Sequence, residues 1–91
     1  MDPRALKQFV ALADTLHFGR AAELSHVSAS ALSRGIQRLE AEVGVALFER
    51  DNRSVSLTGA GAAFLDYARD TLRGWEAIRH RLMAEAGFAA G

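Results

Sequence analysis

A window of the chain without carboxylates carries the residues best suited to chemistry with an anionic partner. No aspartate or glutamate occurs between Glu23 and Glu40, whereas Arg34 and Arg38 both lie inside this window. A guanidinium group can form paired hydrogen bonds with guanine O6 and N7 or with a phosphate. The other side chains predicted to point outward here are small or polar, namely Ala29, Ser30, Ser33 and Gln37. These residue types indicate a surface that can approach the base edges of a nucleic acid closely.

Hydrophobic periodicity predicts that one helix carries this window. Its apolar positions follow helical spacing and are Leu32, Ile36, Leu39 and Val43. Ser28 is a favourable N-cap, and Gly44 is a favourable C-cap. A shorter helix over residues 19–25 precedes it, and Val27 is expected to enter the core at the tight connection between the two. Two helices joined in this way are typical of a helix-turn-helix motif, whose second helix fits the major groove of DNA.

The N-terminal segment predicts an amphipathic helix that supports this motif. Asp2 is a favourable N-cap, and Pro3 suits the first helical position because the N–H that proline lacks would have no intrahelical partner there. The helix is expected to run to about Leu16. Its predicted buried stripe comprises Leu6, Phe9, Val10 and Ala13.

The C-terminal part predicts a wing followed by a long helix. Apolar and polar residues alternate toward the end of residues 45–57, which is typical of a short strand, and residues 51–53 have the composition of a turn. Thr58 is expected to cap a helix that reaches about Glu85, with a weak first turn because of its glycines. We therefore predict a mainly α-helical fold, a winged helix-turn-helix with a small β-hairpin wing and a long C-terminal linker helix.

Composition restricts the classes of protein to which the chain can belong. Its 91 residues, of which 49% are hydrophobic, suffice for one small domain. Lys and Arg number 11, as do Asp and Glu, so the net charge is zero. A zero balance argues mildly against a nucleic-acid partner, but the acid-free window offsets this argument. The absence of cysteine excludes disulfides, cysteine-ligated zinc and thiol catalysis.

No pattern predicts catalysis, a metal site or a membrane anchor. The three histidines lack metal-ligand spacing, and Glu40 and Glu42 face different directions on a helix. We therefore expect no enzyme, no catalytic residue and no metal or other cofactor in this segment. The longest uncharged stretch, residues 24–33, is too short to span a membrane, and no secretory signal opens the chain. A cytoplasmic location is the expectation.

Alternatives remain open for the outward face and for the wing. Helix-turn-helix geometry also occurs in proteins that bind no DNA, so the same fold could serve as a protein-interaction or dimerisation module. At the wing tip, Arg53 can enter a minor groove or touch phosphate, or it can be a solvated turn residue that pairs with Asp51. Measuring how the wild type and Arg34→Ala bind duplex DNA distinguishes a DNA-binding domain from an interaction module.

Characteristic motifs follow one another along most of the chain. They read Leu6-Lys7-Gln8-Phe9, His17-Phe18-Gly19-Arg20-Ala21-Ala22, Leu24-Ser25-His26-Val27-Ser28, Leu32-Ser33-Arg34, Ile36-Gln37-Arg38-Leu39-Glu40, Gly44, Leu47-Phe48-Glu49-Arg50 and Leu57-Thr58-Gly59-Ala60-Gly61. This series resembles the N-terminal DNA-binding domain of LysR-type transcriptional regulators. The resemblance implies sequence-specific regulation of transcription by a homodimer that binds double-stranded DNA at an interrupted inverted repeat.

The outward face and the resemblance together define the candidate contacts with DNA. Residues expected to contact bases are Ala29, Ser30, Ser33 and Arg34. Residues expected to contact the DNA backbone are Phe18, Arg20, Ser28, Gln37, Arg38, Arg50 and Arg53. The sequence departs from the family at position 35, where glutamine is usual and this chain has Gly35, and this departure is expected to remove a base contact.

The resemblance also implies properties of a longer protein. Segments 17–20 and 50–53, with Leu72-Arg73 and Arg79-His80, are similar to an activator of isoleucine–valine biosynthesis, which implies control of branched-chain amino acid biosynthesis. Full-length family members carry a C-terminal effector domain of periplasmic-binding-protein type, for which a small-molecule effector is expected. RNA polymerase is an expected partner of the full-length protein.

The long final helix carries more apolar surface than the rest of the chain can cover. The surplus indicates a homodimer, with an interface predicted to contain Phe64, Leu65, Ala68, Leu72, Trp75, Ile78 and Leu82. Alternatively, Trp75 and Ile78 face the effector domain. The predicted division is a DNA-binding domain over residues 1–57, a linker and dimerisation helix over 58–86, and a tail over 87–91 that leads to the effector domain.

Overall fold

A computed structural model describes residues 1–87, in which four helices and one two-stranded sheet follow one another. The helices are α1 (Pro3–Thr15), α2 (Phe18–Ser25), α3 (Ala29–Val43) and α4 (Gly59–Glu85). Strands β1 (Phe48–Arg50) and β2 (Val55–Leu57) pair antiparallel between α3 and α4. This order confirms the predicted winged helix-turn-helix. The predicted tail, apart from Gly87, lies outside the described residues.

Side-chain caps begin the helices and explain where each one starts. In the three predicted caps, a side-chain oxygen accepts the N–H three residues further on, at 2.9, 3.1 and 2.9 Å for Asp2, Ser28 and Thr58. Helix α2 begins one residue earlier than predicted because His17 caps it, with Nδ1 accepting the Arg20 N–H at 3.0 Å. A Cβ at Gly19 would lie 2.9 Å from the imidazole Cε1, so the absence of a side chain there leaves room for the ring.

Left-handed residues end the first three helices. Gly44 closes α3 at φ 85°, as predicted from its residue type. Leu16 and His26 close α1 and α2 at φ 50° and 57°, although side chains with a Cβ disfavour this conformation. These two turns depend on the packing of α1, α2 and α3 rather than on turn residues in the sequence.

The core lies where α1, α2, α3, β1 and the first half of α4 meet. Its buried side chains are Leu6, Phe9, Leu12, Ala21, Ala22, Leu32, Ile36, Leu39, Leu47, Phe48 and Ala68. The Phe9 ring is at the centre, with its centroid 5.3 Å from that of Phe48 and 5.0 Å, edge to face, from that of Phe64. These aromatic contacts join the first helix to both the wing and the last helix.

The predicted core needs correction at a few positions. On α1, Leu12 is fully buried and was missed, whereas Val10 and Ala13 are only partly buried. Val27 also packs against the core but is only partly buried. Helical spacing defines a stripe about one third of the helix surface wide, and the neighbouring helices decide which edge of that stripe is covered.

The start of α4 approaches the wing closely. Thr58 donates its N–H to the Leu47 carbonyl at 3.0 Å and its hydroxyl to the Ala46 carbonyl at 2.8 Å. Gly61 is buried, and a Cβ there would lie 2.0 Å from the Leu47 oxygen. The glycine that weakens the first turn by helix propensity is therefore required by packing.

Helix α4 packs on the core only along its first half. Ala68 is fully buried there, while Phe64, Leu65 and Leu72 are partly buried against the same core. The prediction that Ala68 lies in a dimer interface is wrong, because its methyl group is already covered by its own chain. Beyond this half, α4 projects from the core, and the molecule measures 50 × 24 × 19 Å.

Candidate nucleic-acid interface

The outer face of α3 presents the side chains that the sequence assigns to it. Ala29, Ser30, Arg34, Gln37 and Arg38 are exposed, and Ser33 is partly exposed. The opposite face is buried in the core, so the helix is anchored along its length while its outer face stays open. The small residues at the start of this face leave the backbone of the first turns accessible to a partner.

The two arginines on this face are free to bind an external anion. Among the described residues, neither Arg34 nor Arg38 has a salt-bridge partner. On α4, by contrast, Arg69 pairs with Asp14 at 2.6 Å, and Arg73 pairs with Asp70. The zero net charge of the chain thus does not prevent the outer face of α3 from carrying two basic groups that have no carboxylate partner among the described residues.

Asp51 organises the tip of the wing. Its Oδ1 accepts the N–H groups of Arg53 and Ser54, each at 2.8 Å. These backbone donors, first that of Arg53 and then that of Ser54, hold the pKa of the Asp51 carboxyl below its usual value. The Arg53 guanidinium has no salt-bridge partner in residues 1–87, so the suggested ion pair with Asp51 is wrong.

Arg50 reaches from the wing to both helices of the motif. Its Nη1 donates to Ser33 Oγ, and its Nη2 donates to Glu40 Oε1, each at 3.3 Å. The guanidinium carbon lies 5.1 Å from the ring centroid of Phe18 on α2. The structure therefore brings together two predicted DNA-backbone contacts and one predicted base contact. The Arg50 side chain is 28% exposed, so its guanidinium is only partly available to DNA.

Sequence reasoning missed the role of Glu40. Its Oε2 accepts the N–H groups of Leu47 at 2.7 Å and Phe48 at 3.2 Å, and only 16% of the side chain is exposed. No local pattern predicts this arrangement, because its partners lie beyond the end of α3. A weak signal is that Glu40 ends the acid-free window beside the core residue Leu39.

The predicted DNA-backbone contacts lie on both sides of α3. Phe18, Arg50 and Arg53 line an open cleft of about 320 Å³ between the start of α2 and the wing. Arg38 lies on the other flank, in a groove between α1 and α3, and Arg20 is exposed on α2. The candidate contacts thus surround the outer face rather than forming a single cluster.

Gly35 lies on a different side of α3 from the one predicted. A Cβ at this position would be 2.7 Å from Oε1 of Gln8 on α1. A side chain at position 35 would therefore begin toward α1 and displace Gln8, rather than extend directly from the outer face. The expectation that Gly35 removes a base contact is not supported by this geometry.

The projecting half of α4 exposes apolar side chains. Trp75, Ile78 and Leu82, all predicted to lie in a dimer interface, are 42%, 44% and 55% exposed. Met83 is similarly exposed and was not predicted, and Tyr67 is exposed on the first half of the helix. This surface is apolar, whereas the outer face of α3 is polar. A partner that covers it must therefore present an apolar surface as well.

No cluster of three or more His, Cys, Asp or Glu side chains in residues 1–87 could hold a metal ion. None of the described helices is long and apolar enough to cross a membrane.

An anchored helix with an open basic face, preceded by a short helix and flanked by a β-hairpin, defines a winged helix-turn-helix. Residues 3–62 match the family described as bacterial regulatory helix-turn-helix protein, lysR family. The chain therefore belongs to the LysR family.

Similar proteins extend this assignment. The chain is 52% identical over 91 residues to the HTH-type transcriptional activator IlvY of Salmonella typhimurium, matching all of this chain but only 31% of that protein. A crystal structure of a CbnR_DBD–DNA complex has a TM-score of 0.88 at 42% identity, covering 94% of this chain and 99% of the other. Vibrio fischeri DarR in complex with DNA has a TM-score of 0.91 at 31% identity, covering 99% and 31%.

Proposed function

We propose that this chain is the DNA-binding part of a LysR-type transcriptional regulator, and that α3 enters the major groove of duplex DNA. The observation that carries this proposal is the outer face of α3, where Arg34 and Arg38 are exposed and have no salt-bridge partner among the described residues. An unpaired guanidinium at a protein surface retains all of its donors for an anion or a base edge. CbnR_DBD and DarR, which share this fold, are both recorded in complex with DNA.

The roles of individual side chains follow from their positions. Ala29, Ser30, Ser33 and Arg34 occupy the first turns of α3 and are proposed to face base edges. The flanking residues are proposed to contact the DNA backbone and comprise Phe18, Arg20, Ser28, Gln37, Arg38, Arg50 and Arg53. Contacts on both sides of the helix would fix its register in the groove, since phosphate contacts position a protein and base contacts specify the sequence.

The proposal extends to a dimer and to the longer protein. The exposed apolar stripe of α4 supports pairing of two copies, which would place two recognition helices on an inverted repeat. Because the chain spans 31% of the IlvY relative, a small-molecule effector, contact with RNA polymerase, a cytoplasmic location and control of branched-chain amino acid biosynthesis are proposals for the whole protein.

The experiment that tests the proposal begins with selection of bound duplexes from a random DNA pool. The consensus gives the half-site sequence, its symmetry and its spacing. Arg34→Ala should then lose about 1–3 kcal/mol of discrimination at one base pair of each half-site. Arg73→Ala, which removes the same charge from α4, is the matched control and should retain the preference.

Two other results would change this proposal, the first for the role of Arg34 and the second for the function of the chain. A uniform loss of affinity over all sequences in Arg34→Ala would mean that Arg34 contacts phosphate only. Absence of binding by the wild type to any duplex at low salt would favour a protein-interaction module with the same fold.

A further inference from the structure

Glu40 connects the end of α3 to the wing through both of its carboxylate oxygens. One oxygen accepts the N–H groups of Leu47 and Phe48, at 2.7 and 3.2 Å, and the other accepts from Arg50 at 3.3 Å. Hydrogen bonds to a carboxylate are stronger than those between neutral groups, particularly when the carboxylate is mostly shielded from water. Glu40 therefore holds the backbone and the arginine of the same strand at a set distance from α3.

Arg50, held in this way, acts on a residue of the outer face. Its Nη1 donates to Ser33 Oγ at 3.3 Å, while the Phe18 ring supports the guanidinium from α2. A serine hydroxyl has one hydrogen to donate and two lone pairs to accept. Because Arg50 occupies a lone pair and Ser33 donates to no carbonyl among the described residues, the hydroxyl hydrogen remains available to an outside acceptor.

We propose that Glu40 is a positioning residue for DNA recognition, which rests on the proposed function above. Through Arg50, it sets Ser33 as a hydrogen-bond donor on the outer face of α3. The acceptor classes that such a donor recognises in the major groove are guanine O6 and N7, adenine N7 and thymine O4, together with phosphate oxygen. Glu40 itself does not touch DNA in this proposal.

The substitution Glu40→Gln separates the contacts of Glu40 with the wing backbone from its contact with Arg50. The amide oxygen can still accept the N–H groups of Leu47 and Phe48, so the connection to the wing is retained. The amide nitrogen is a donor and cannot accept from Arg50, so the guanidinium loses its anchor. Glu42→Gln is the matched control, because Glu42 lies on the same helix and its carboxylate instead pairs with the N-terminal ammonium at 3.0 Å.

The measurement is affinity for the duplex selected above and for a scrambled duplex of the same composition. Glu40→Gln should weaken binding to the selected duplex about tenfold, the typical effect of one charged hydrogen bond, and leave binding to the scrambled duplex nearly unchanged. Glu42→Gln should leave the ratio of the two affinities at its wild-type value. In a Ser33→Ala background, Glu40→Gln should cause no further loss of preference.

A second variant tests the same relay if Glu40→Gln does not fold. Arg50→Lys keeps the positive charge, but a single ammonium cannot bridge Ser33 and Glu40 as a planar guanidinium does. It should lose the same preference, with an unchanged melting temperature.

Three results would overturn the proposal in distinguishable ways. Equal behaviour of Glu40→Gln and Glu42→Gln would show that Glu40 has no influence on recognition. An equal loss on both duplexes, or a full effect in the Ser33→Ala background, would assign Glu40 a structural role only. A wild type without sequence preference would overturn the proposed function and this inference together.

Discussion

The two halves of α4 have opposite relations to the rest of the molecule. In the first half, Gly61 and Ala68 are buried, and Arg69 forms an ion pair with Asp14 on α1. In the second half, Trp75 and Ile78 are 42% and 44% exposed although they are much larger and more apolar. Small residues thus lie where backbones approach closely, and large ones lie where the chain provides no cover.

The comparison shows that an apolar helical stripe predicts burial without identifying the partner. The stripe continues along α4 past the point where α1 ends its contact with it. On α3 the opposite holds, since Leu32, Ile36 and Leu39 of its apolar stripe are buried and the exposed face is polar. Exposed polar surface on α3 and exposed apolar surface on α4 therefore call for two different kinds of partner.

The strongest test of this comparison is to place a glutamate in each half of α4. Ala68→Glu buries a carboxylate without a partner and should destabilise the fold by about 3–5 kcal/mol, a large part of the roughly 5–15 kcal/mol of a small domain. Ala77→Glu, at an exposed position, should change stability by less than about 0.5 kcal/mol. Urea unfolding of both variants checks this, and equal midpoints would contradict the assignment of Ala68 to the core.

Replacing a glycine with alanine should change the stability of the fold in opposite directions in the two halves of α4. Gly61→Ala places a methyl group against the Leu47 carbonyl, at a starting distance of 2.0 Å, and should cost about 1–3 kcal/mol. A Cβ at Gly74 meets nothing within 4 Å, so Gly74→Ala should stabilise the helix by about 0.8–1.0 kcal/mol. Thermal unfolding at low protein concentration measures both. Destabilisation by Gly74→Ala would instead indicate that position 74 is closely packed against a second chain.

The last of these predictions concerns the partner of the projecting half. Ile78→Glu should weaken self-association by at least about 30-fold, equivalent to the 2 kcal/mol of an interface hot spot, while the helical content of the monomer is retained. Ala77→Glu places the same charge on a neighbouring face and serves as the control. Sedimentation equilibrium measures the association. If the wild type is monomeric at all concentrations, the exposed stripe faces an effector domain rather than a second copy.

Much of the fold could be predicted because its signals are local. A cap side chain contacts an N–H three residues away, so Asp2, Ser28 and Thr58 could each be identified from a few neighbouring residues. The wing was predicted from alternation and a turn. By contrast, the left-handed conformations of Leu16 and His26 could not be predicted, since only the packing of three helices makes them favourable.

The candidate site could be predicted only where its residues lie close together in the sequence. Arg34 and the small residues around it share one helix, and helical geometry alone places them on one face. The bridge from Ser33 through Arg50 to Glu40 joins residues that are 17 and 10 positions apart in the sequence, and it depends on where β1 lies against α3. Gly35 was misplaced because a helical wheel does not show that Gln8 of α1 occupies the space beside it.

The amino-acid sequence by itself determined the helices, their caps and the character of each exposed face, because these follow from interactions within a few residues. Only the tertiary structure decided which part of each apolar stripe is covered, which arginines are left without a carboxylate and which serine receives a guanidinium. Those outcomes depend on contacts between segments distant in the chain, and their free energy arises only when the helices and the wing pack together.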